Sequence, residues 1–387
     1  MIKLCTVTGS RAEFFILKNL ILKLQNKKKI SHSLLVTGSH NSKFFGKTVN
    51  DIKKENIKIS GLIDLNIKGD SSSEISKYFS LGIKKFSKKL LSLKPDLVMV
   101  LGDRYEIFSV AIAAYLNNIP IIHIYGGETT EGSLDECIRH SITKLSKIHF
   151  VSTKKYFDRV KQLGENPEYI FNVGSMGVEA IKNHKIIKEN RLEKILNLKF
   201  SKKNILMTFH PETTITKKEN IKNLNECLKC IKKLKNTTTI ITMPGADHNY
   251  KIIFSILKKF SRENKDVYLF KSLGHDYFFS ICRIVDLMIG NSSSGIIEMP
   301  SFQKPTVNIG KRQLGRIQAK SVINVDFQAR KISNAIKKAF SKKFINSISR
   351  INNPYKKNNS SDKIINVIEK INLKKLNSKK FFDYKCL

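Results

Sequence analysis

DLVMVLGDRYEIFSVAIAAYLNNIPIIHIYGGETTEGSLDECIRHSITKLS, residues 96–146, is the stretch that decides the fold. Leu97–Leu101 and Pro120–Ile124 are short apolar runs of the kind that form strands buried on both faces. Between them Ile107–Leu116 has helical spacing, with the small residues Ala111, Ala113 and Ala114. The reading is a strand–helix–strand unit with parallel strands, each ending in polar residues. Gly102, Asp103, Arg104 and Glu106 follow the first strand. His123, Gly126, Gly127, Glu128, Glu131 and Asp135 follow the second. Open parallel sheets bind ligands beyond the carboxyl ends of their strands. Asp103, His123, Glu128, Glu131 and Asp135 are therefore expected to converge on one crevice. Several acids gathered there, in a chain otherwise short of acids, point to proton transfer, because mutual repulsion moves carboxyl pKa values toward neutrality.

The chain has 387 residues, long enough for two or three domains with ample core. Its 70 Lys and Arg against 32 Asp and Glu give a net charge of +38. Such a charge suits nucleic acid or an anionic membrane. Here the lysines are spread over many helices rather than gathered in a stripe, and Lys, Asn and Ile are all abundant. The charge thus reads as compositional bias, and neither nucleic acid nor membrane is expected as a partner, although an anionic substrate would gain from the field. The six cysteines (Cys5, Cys137, Cys227, Cys230, Cys282 and Cys386) imply no disulfide framework. Cys227 and Cys230 form a C-x-x-C without a second pair and fall inside a helical pattern, so no metal site is expected there. The opening MIKLCTVTGS reads as a strand entering a loop, and no uncharged run reaches the length of a membrane span. A cytoplasmic protein is the expectation.

Outward from the central stretch, Leu4–Thr8 is a strand, and Gly9–Glu13 turns it into a helix whose face carries Phe14, Leu17, Ile21 and Leu24. A glycine turn before a helix suits an anion, and the guanidinium of Arg11 can grip a phosphate. His32–Thr37 is the next strand. Asn66–Ser73 is a polar loop, and Ile75–Leu93 an amphipathic helix. Leu134–Leu145 is a helix in which Asp135 and Arg139 have i,i+4 spacing. The second half repeats this architecture. Asn204–Phe209 is a strand with His210 at its tip, well placed for a diphosphate or for proton transfer. Thr238–Met243 ends in Pro244–Asp247. Gly290-Asn291-Ser292-Ser293-Ser294-Gly295 opens a helix expected over Ile296–Ser301, which makes Ser292 and Ser293 an anion site and sets Glu298 one turn in, within reach of ribose hydroxyls. The fold class expected is α/β, with two Rossmann-like domains facing a central cleft (GT-B-like). The expected domains are 1–182, carrying the acids, and 200–355, binding a nucleotide, with 356–387 a C-terminal helix packing back on the first.

The motifs GSRAE (Gly9–Glu13), LGDRYE (Leu101–Glu106), HIYGGE (His123–Glu128), LDECIRHSITKLS (Leu134–Ser146), FHPETT (Phe209–Thr214), GNSSSGIIE (Gly290–Glu298) and GKRQLGR (Gly310–Arg316) run in order through nearly the whole chain. Together they resemble the hydrolysing UDP-N-acetylglucosamine 2-epimerases of sialic-acid and related nonulosonic-acid pathways. That resemblance implies a two-step reaction. A base removes the C2 proton while UDP leaves C1, giving a 2-acetamidoglucal. Water then adds at C1 and a proton returns to the other face of C2, yielding an N-acetylmannosamine-type sugar. It also implies no cofactor and no metal, and a homodimer. By resemblance Asp103 and Asp135 match essential acids and His210 an essential histidine, with Glu128 or Glu131 as further catalytic carboxyls. Arg11, Ser292, Ser293, Glu298 and Arg312 match nucleotide contacts. One position departs: sialic-acid members carry a catalytic Glu directly before Gly-Gly, where this chain has Tyr125. Legionaminic-type members also lack that Glu, so a 2,4-diacetamido-6-deoxy nucleotide sugar is the alternative substrate. The frame alone also suits a glycosyltransferase.

Overall fold

The computed structural model describes residues 1–67, 69–245, 247–376 and 378–383. Lys68 of the Asn66–Ser73 loop, Ala246 of the Pro244–Asp247 turn and Cys386 lie outside them. The chain forms two compact units. The first comprises Met1–Glu128, Asp135–Ala180 and Lys357–Leu387; the second comprises Thr129–Leu134 and Ile181–Lys356.

The first unit is built on seven parallel strands: β1 (Ile2–Thr8), β2 (Ile30–Val36), β3 (Gly61–Leu62), β4 (Leu97–Leu101), β5 (Ile121–Ile124), β6 (Ile148–Val151) and β7 (Ile170–Asn172), in spatial order β3-β2-β1-β4-β5-β6-β7. All five residues of β4 are buried, and they alternate between two cores. Leu97, Met99 and Leu101 pack with Phe14, Leu17 and Phe150, whereas Val98 and Val100 pack with Phe86, Ile107 and Val110. A strand with both faces covered needs no polar alternation, which is why the central stretch reads as continuous apolar runs. Ala111, Ala113 and Ala114 are fully buried on helix Tyr105–Leu116, which packs closely on helix Ser72–Leu93. The C-terminal helix Ser360–Lys370 belongs to this unit: Ile364, Ile365 and Ile368 enter the core of Phe14 and Leu17, and Lys23 Nζ lies 2.8 Å from Asp362.

The second unit repeats the design with six parallel strands: β8 (Lys203–Thr208), β9 (Thr237–Thr242), β10 (Val267–Phe270), β11 (Leu287–Gly290), β12 (Thr306–Ile309) and β13 (Val322–Val325), in order β10-β9-β8-β11-β12-β13. Cys227 and Cys230 are buried on helix Lys217–Lys232, packed with Ile205, Met207 and Phe209. They act as small apolar residues. Each sheet has one point where successive strands depart to opposite sides: between β1 and β4, and between β8 and β11. Such switch points are where open α/β sheets hold ligands.

Candidate active site

In the first unit the switch point is flanked by the tips of β1 and β4. Ser10 caps helix Arg11–Gln25 by accepting the Glu13 N–H, and the Glu13 carboxylate accepts the Gly9 N–H at 2.8 Å and the Ser10 hydroxyl at 3.0 Å. This fixes the turn that carries Arg11. Burial lowers the Arg11 pKa to about 10, with the charge of Asp51 opposing the shift. A partly desolvated guanidinium is thus held at the strand tip, where an anion would restore its solvation.

At the tip of β4 stands Asp103. Its partner is Arg139, from helix Asp135–Leu145, whose side chain is only 1% exposed. The guanidinium binds Asp103 Oδ2, donates to Glu136 Oε2 at 2.9 Å and donates to the Glu128 carbonyl at 2.8 Å. Asp103 and Glu136 remain 21% and 20% exposed, so one buried cation holds two carboxylates that reach solvent. Charge-assisted bonds of this kind fix carboxylate orientation. Asp135 lies one turn before Arg139 on the same helix and is half-buried.

The tip of β5 divides into structural and reactive groups. His123 is buried; its Nε2–H donates to the Gly102 carbonyl at 2.8 Å, and Nδ1 lies 3.1 Å from Thr143 Oγ1. Burial drives its pKa down to about 3. It is therefore a neutral brace for the turn before Asp103, not a proton carrier at that crevice. Tyr125 adopts a left-handed backbone conformation with φ +68°, rare for an aromatic residue. Its hydroxyl accepts the Met176 N–H at 2.7 Å and lies 3.3 Å from Ser175 Oγ, and burial raises its pKa further from use. Gly127, at φ +76°, passes so near Tyr156 that a Cβ would lie 2.6 Å from its carbonyl. Beyond it Glu128 is buried, and its Oε1 accepts the Ser152 hydroxyl at 2.8 Å.

Glu131 is carried by a short segment that packs with the second unit. Residues 129–134 belong to the second unit, where the Glu131 N–H donates to the Leu314 carbonyl at 3.2 Å and the side chain is exposed. Gly132 permits this docking: a Cβ there would meet the Lys311 backbone at 2.6 Å. Leu134 N–H also donates to Thr213 Oγ1 at 2.8 Å.

In the second unit the tips of β8 and β11 are tied across the switch point. The His210 N–H donates to Asn291 Oδ1 at 2.7 Å, and Asn291 Nδ2 donates to the His210 carbonyl at 2.8 Å. His210 Nδ1 has two neighbours, the Gly245 N–H at 3.2 Å and Asp247 Oδ2 at 3.3 Å. When Gly245 donates, the ring is neutral with its proton on Nε2. When the ring is charged, Nδ1–H turns to Asp247 and Nε2 keeps its proton. Both of these states offer a donor at Nε2 to an anion; a neutral ring donating Nδ1–H to Asp247 offers an acceptor there instead. Asp247 Oδ2 also lies 3.6 Å from Arg312 Nη2. Arg312 is set by Glu212, whose Oε1 accepts the Lys311 and Arg312 N–H groups at 2.7 and 3.0 Å. Burial pushes the Glu212 carboxyl up, and those two N–H bonds hold it back. Gln313 Nε2 closes the loop on the Asn291 carbonyl at 2.9 Å.

The helix expected over Ile296–Ser301 is two short turns, Ser294–Ile297 and a tighter one over Met299–Phe302. Pro300 has no N–H to continue the first turn, so the ladder breaks at Glu298. Ser292 and Ser293 therefore offer hydroxyls and backbone N–H groups without a long helix behind them. Glu298 is buried at the junction, and its charge adds to the burial that raises the Cys282 thiol. The sequence reading missed Arg139 as a hub, Glu136, Glu212, Asn291 and Asp247; the 136–139–140 spacing was a visible signal for the first two.

A profile described as UDP-N-acetylglucosamine 2-epimerase matches residues 22–369. The chain belongs to that epimerase family. It is 41% identical over 343 residues, 88% of each chain, to the Campylobacter jejuni GDP/UDP-N,N'-diacetylbacillosamine 2-epimerase (hydrolyzing). It is 41% identical over 388 residues, covering 99% of this chain and 98% of the relative, to polysialic acid biosynthesis protein P7 of Escherichia coli. Among solved structures, the Neisseria meningitidis UDP-GlcNAc 2-epimerase bound to UDP-GlcNAc aligns with a TM-score of 0.78 at 22% identity, over 96% of this chain and 100% of the other. The family's GT-B-like α/β fold is therefore this chain's fold, and the two sheets with their switch points are its expression. No helix among the described residues is long and apolar enough to cross a membrane.

Proposed function

We propose that this family member is a hydrolysing 2-epimerase of a nucleoside-diphosphate 2-acetamido sugar, in the first instance UDP-N-acetylglucosamine. The observation that carries the reading is the Asp103–Arg139–Glu136 cluster at a sheet switch point, on a chain of this family. The C2 proton of the sugar is weakly acidic, so its removal needs a fixed carboxylate, and epimerisation needs a second acid on the other face. Asp103 and Asp135 take these roles, with Glu128 and Glu131 as supporting carboxyls. As the C2–H bond breaks, the C1–C2 double bond of the 2-acetamidoglucal forms and the C1–O bond electrons leave with UDP. Water then adds at C1 and C2 takes a proton on the opposite face, giving the N-acetylmannosamine-type sugar. Charge growing on the diphosphate needs cations and N–H donors. His210, Arg312, Ser292, Ser293 and Arg11 supply them in this reading, and Glu298 accepts from the ribose. A homodimer is part of the same proposal, checked by analytical ultracentrifugation.

A second substrate, a UDP- or GDP-linked 2,4-diacetamido-2,4,6-trideoxy sugar, is favoured by one position. Tyr125 occupies the place of a glutamate and is engaged with Ser175 and Met176. The Campylobacter relative's name specifies such a sugar. Parallel assays of nucleoside-diphosphate release from UDP-N-acetylglucosamine and from UDP- and GDP-linked N,N'-diacetylbacillosamine separate the two. Release from none of them, with or without an acceptor sugar, overturns the proposal; release only with an acceptor assigns a transferase.

A further inference from the structure

His184 is far in sequence from the adjacent pair His275 and Asp276, and none belongs to the groups assigned above. The fold of the second unit brings one ligand atom from each within 4.8 Å of the others. His184 Nδ1 lies 3.5 Å and His275 Nδ1 3.8 Å from Asp276 Oδ1. Donors of a tetrahedral zinc-type ion sit about 2.0–2.2 Å from the metal, which puts them roughly 3.4 Å from each other. The two spacings to Asp276 are close to that value, and the histidine nitrogens lie within 4.8 Å of each other.

The surroundings prepare the two rings. Ser280 Oγ donates to the Asp276 carbonyl at 2.8 Å, so its one proton is committed. His184 Nε2, at 3.1 Å from the same oxygen, must then be the donor, so a neutral ring carries its lone pair on Nδ1 and a charged ring donates Nδ1–H to Asp276. In the neutral ring Nδ1 faces a carboxylate oxygen, and a metal ion there takes the place of the second proton. A second-shell bond of this kind from the far nitrogen is the usual orienting device of ligating histidines. His275 is fixed by Phe279, with ring centroids 4.1 Å apart, and His184 meets the same Phe279 edge-on at 5.6 Å. His184 is 4% exposed and His275 16%, while Asp276 is 65% exposed and leaves a side open for water.

We propose that His184, His275 and Asp276 bind one divalent transition-metal ion of the zinc class. The ion pins the start of the Ile181–Lys356 segment to helix Gly274–Ile284, beside the Ile187 N–H bond to Ser280 Oγ at 3.0 Å. Two imidazoles and one carboxylate select zinc, cobalt or nickel over magnesium or calcium, which prefer all-oxygen sites. With a net charge of +38 the general field repels cations, so binding here depends on direct coordination.

The test is titration of chelator-treated full-length protein with Co²⁺, read by visible absorption and by equilibrium dialysis. One ion per chain is expected, with d–d bands in the visible, displacement by Zn²⁺ and a rise in the melting temperature. His184→Ala and His275→Ala should each weaken binding at least tenfold. Asp276→Asn, at an exposed position, provides a variant expected to fold normally yet bind more weakly. No uptake by the wild type overturns the proposal, as does uptake unchanged in His275→Ala and Asp276→Asn. These readouts do not involve sugar hydrolysis, so their failure leaves the proposed activity standing.

Discussion

Asp103 sits where a strand ends and a buried guanidinium begins. Replacing it or Asp135 with asparagine keeps the volume and the hydrogen-bonding shape but removes the base. Asp103→Asn and Asp135→Asn are expected to fold normally and lose turnover by ~10²-fold or more, measured as UDP release; near-normal rates in both would contradict the roles proposed. Arg139 is a different case. Removing it leaves Asp103, Glu136 and the Glu128 carbonyl without their shared partner. Arg139→Met should cost about 3 kcal/mol in a denaturant titration, the scale of a broken buried ion pair, and a loss below about 1 kcal/mol would contradict the hub. The strand-tip positions of Asp103 and His210 were legible in the sequence because each comes within two residues of an apolar run. Arg139 as hub was not, because its three partners come from two strand tips and its own helix. The docking of residues 129–134 was hidden for a similar reason: nothing local says that Gly132 packs on the backbone of Lys311.

Strand tips are set by backbone as much as by side chains. Gly290 ends β11 at φ +130°, and a Cβ there would lie 2.0 Å from the Thr208 carbonyl. Gly290→Ala should therefore cost about 2 kcal/mol or more and separate the His210–Asn291 pair, seen as a lower melting temperature together with weaker UDP binding. A wild-type melting temperature would contradict the close approach. The buried strands β4, β5, β8 and β11 were readable as apolar runs. The helix expected after Ser294 was not readable in its true form, because apolar spacing continues through Pro300 while the hydrogen-bond ladder does not. β13 also escaped reading: Val322–Val325 is an edge strand with only partial burial, so its composition carries little signal.

Across the whole molecule the buried histidines set the response to acid. Burial holds His32 at about 4, and His40 and His123 at about 3, below their ordinary 6.5. Between those values and 6.5 the unfolded chain binds the protons that the folded chain refuses. Stability is thus present above 6.5 and lost as pH falls, by roughly 1 kcal/mol per pH unit for each group. Glu13 acts in the opposite sense. Its carboxyl is held well above the ordinary value by burial and by the neighbouring Glu106 charge, so its share of stability is lost as pH rises from 4.5. Burial lowers His149 as well and raises Glu212 as it does Glu13. The histidines still outnumber the carboxyls, and the melting temperature is expected to fall between pH 6.5 and pH 4.5. His40→Gln, which cannot charge, should reduce that slope; a flat profile in the wild type would contradict it. Two parallel sheets and the order of the motifs were legible along the chain, since each depends on local runs; the strand order that sets the two switch points was not. The metal-type cluster was not, because His184 and His275 meet only through folding. The most direct measurement of the central claim is proton NMR of the wild-type protein with UDP-N-acetylglucosamine, or its 2,4-diacetamido counterpart, in deuterated water. The account predicts free UDP and a 2-epimerised sugar carrying deuterium at C2; UDP release with the C2 proton retained would contradict it.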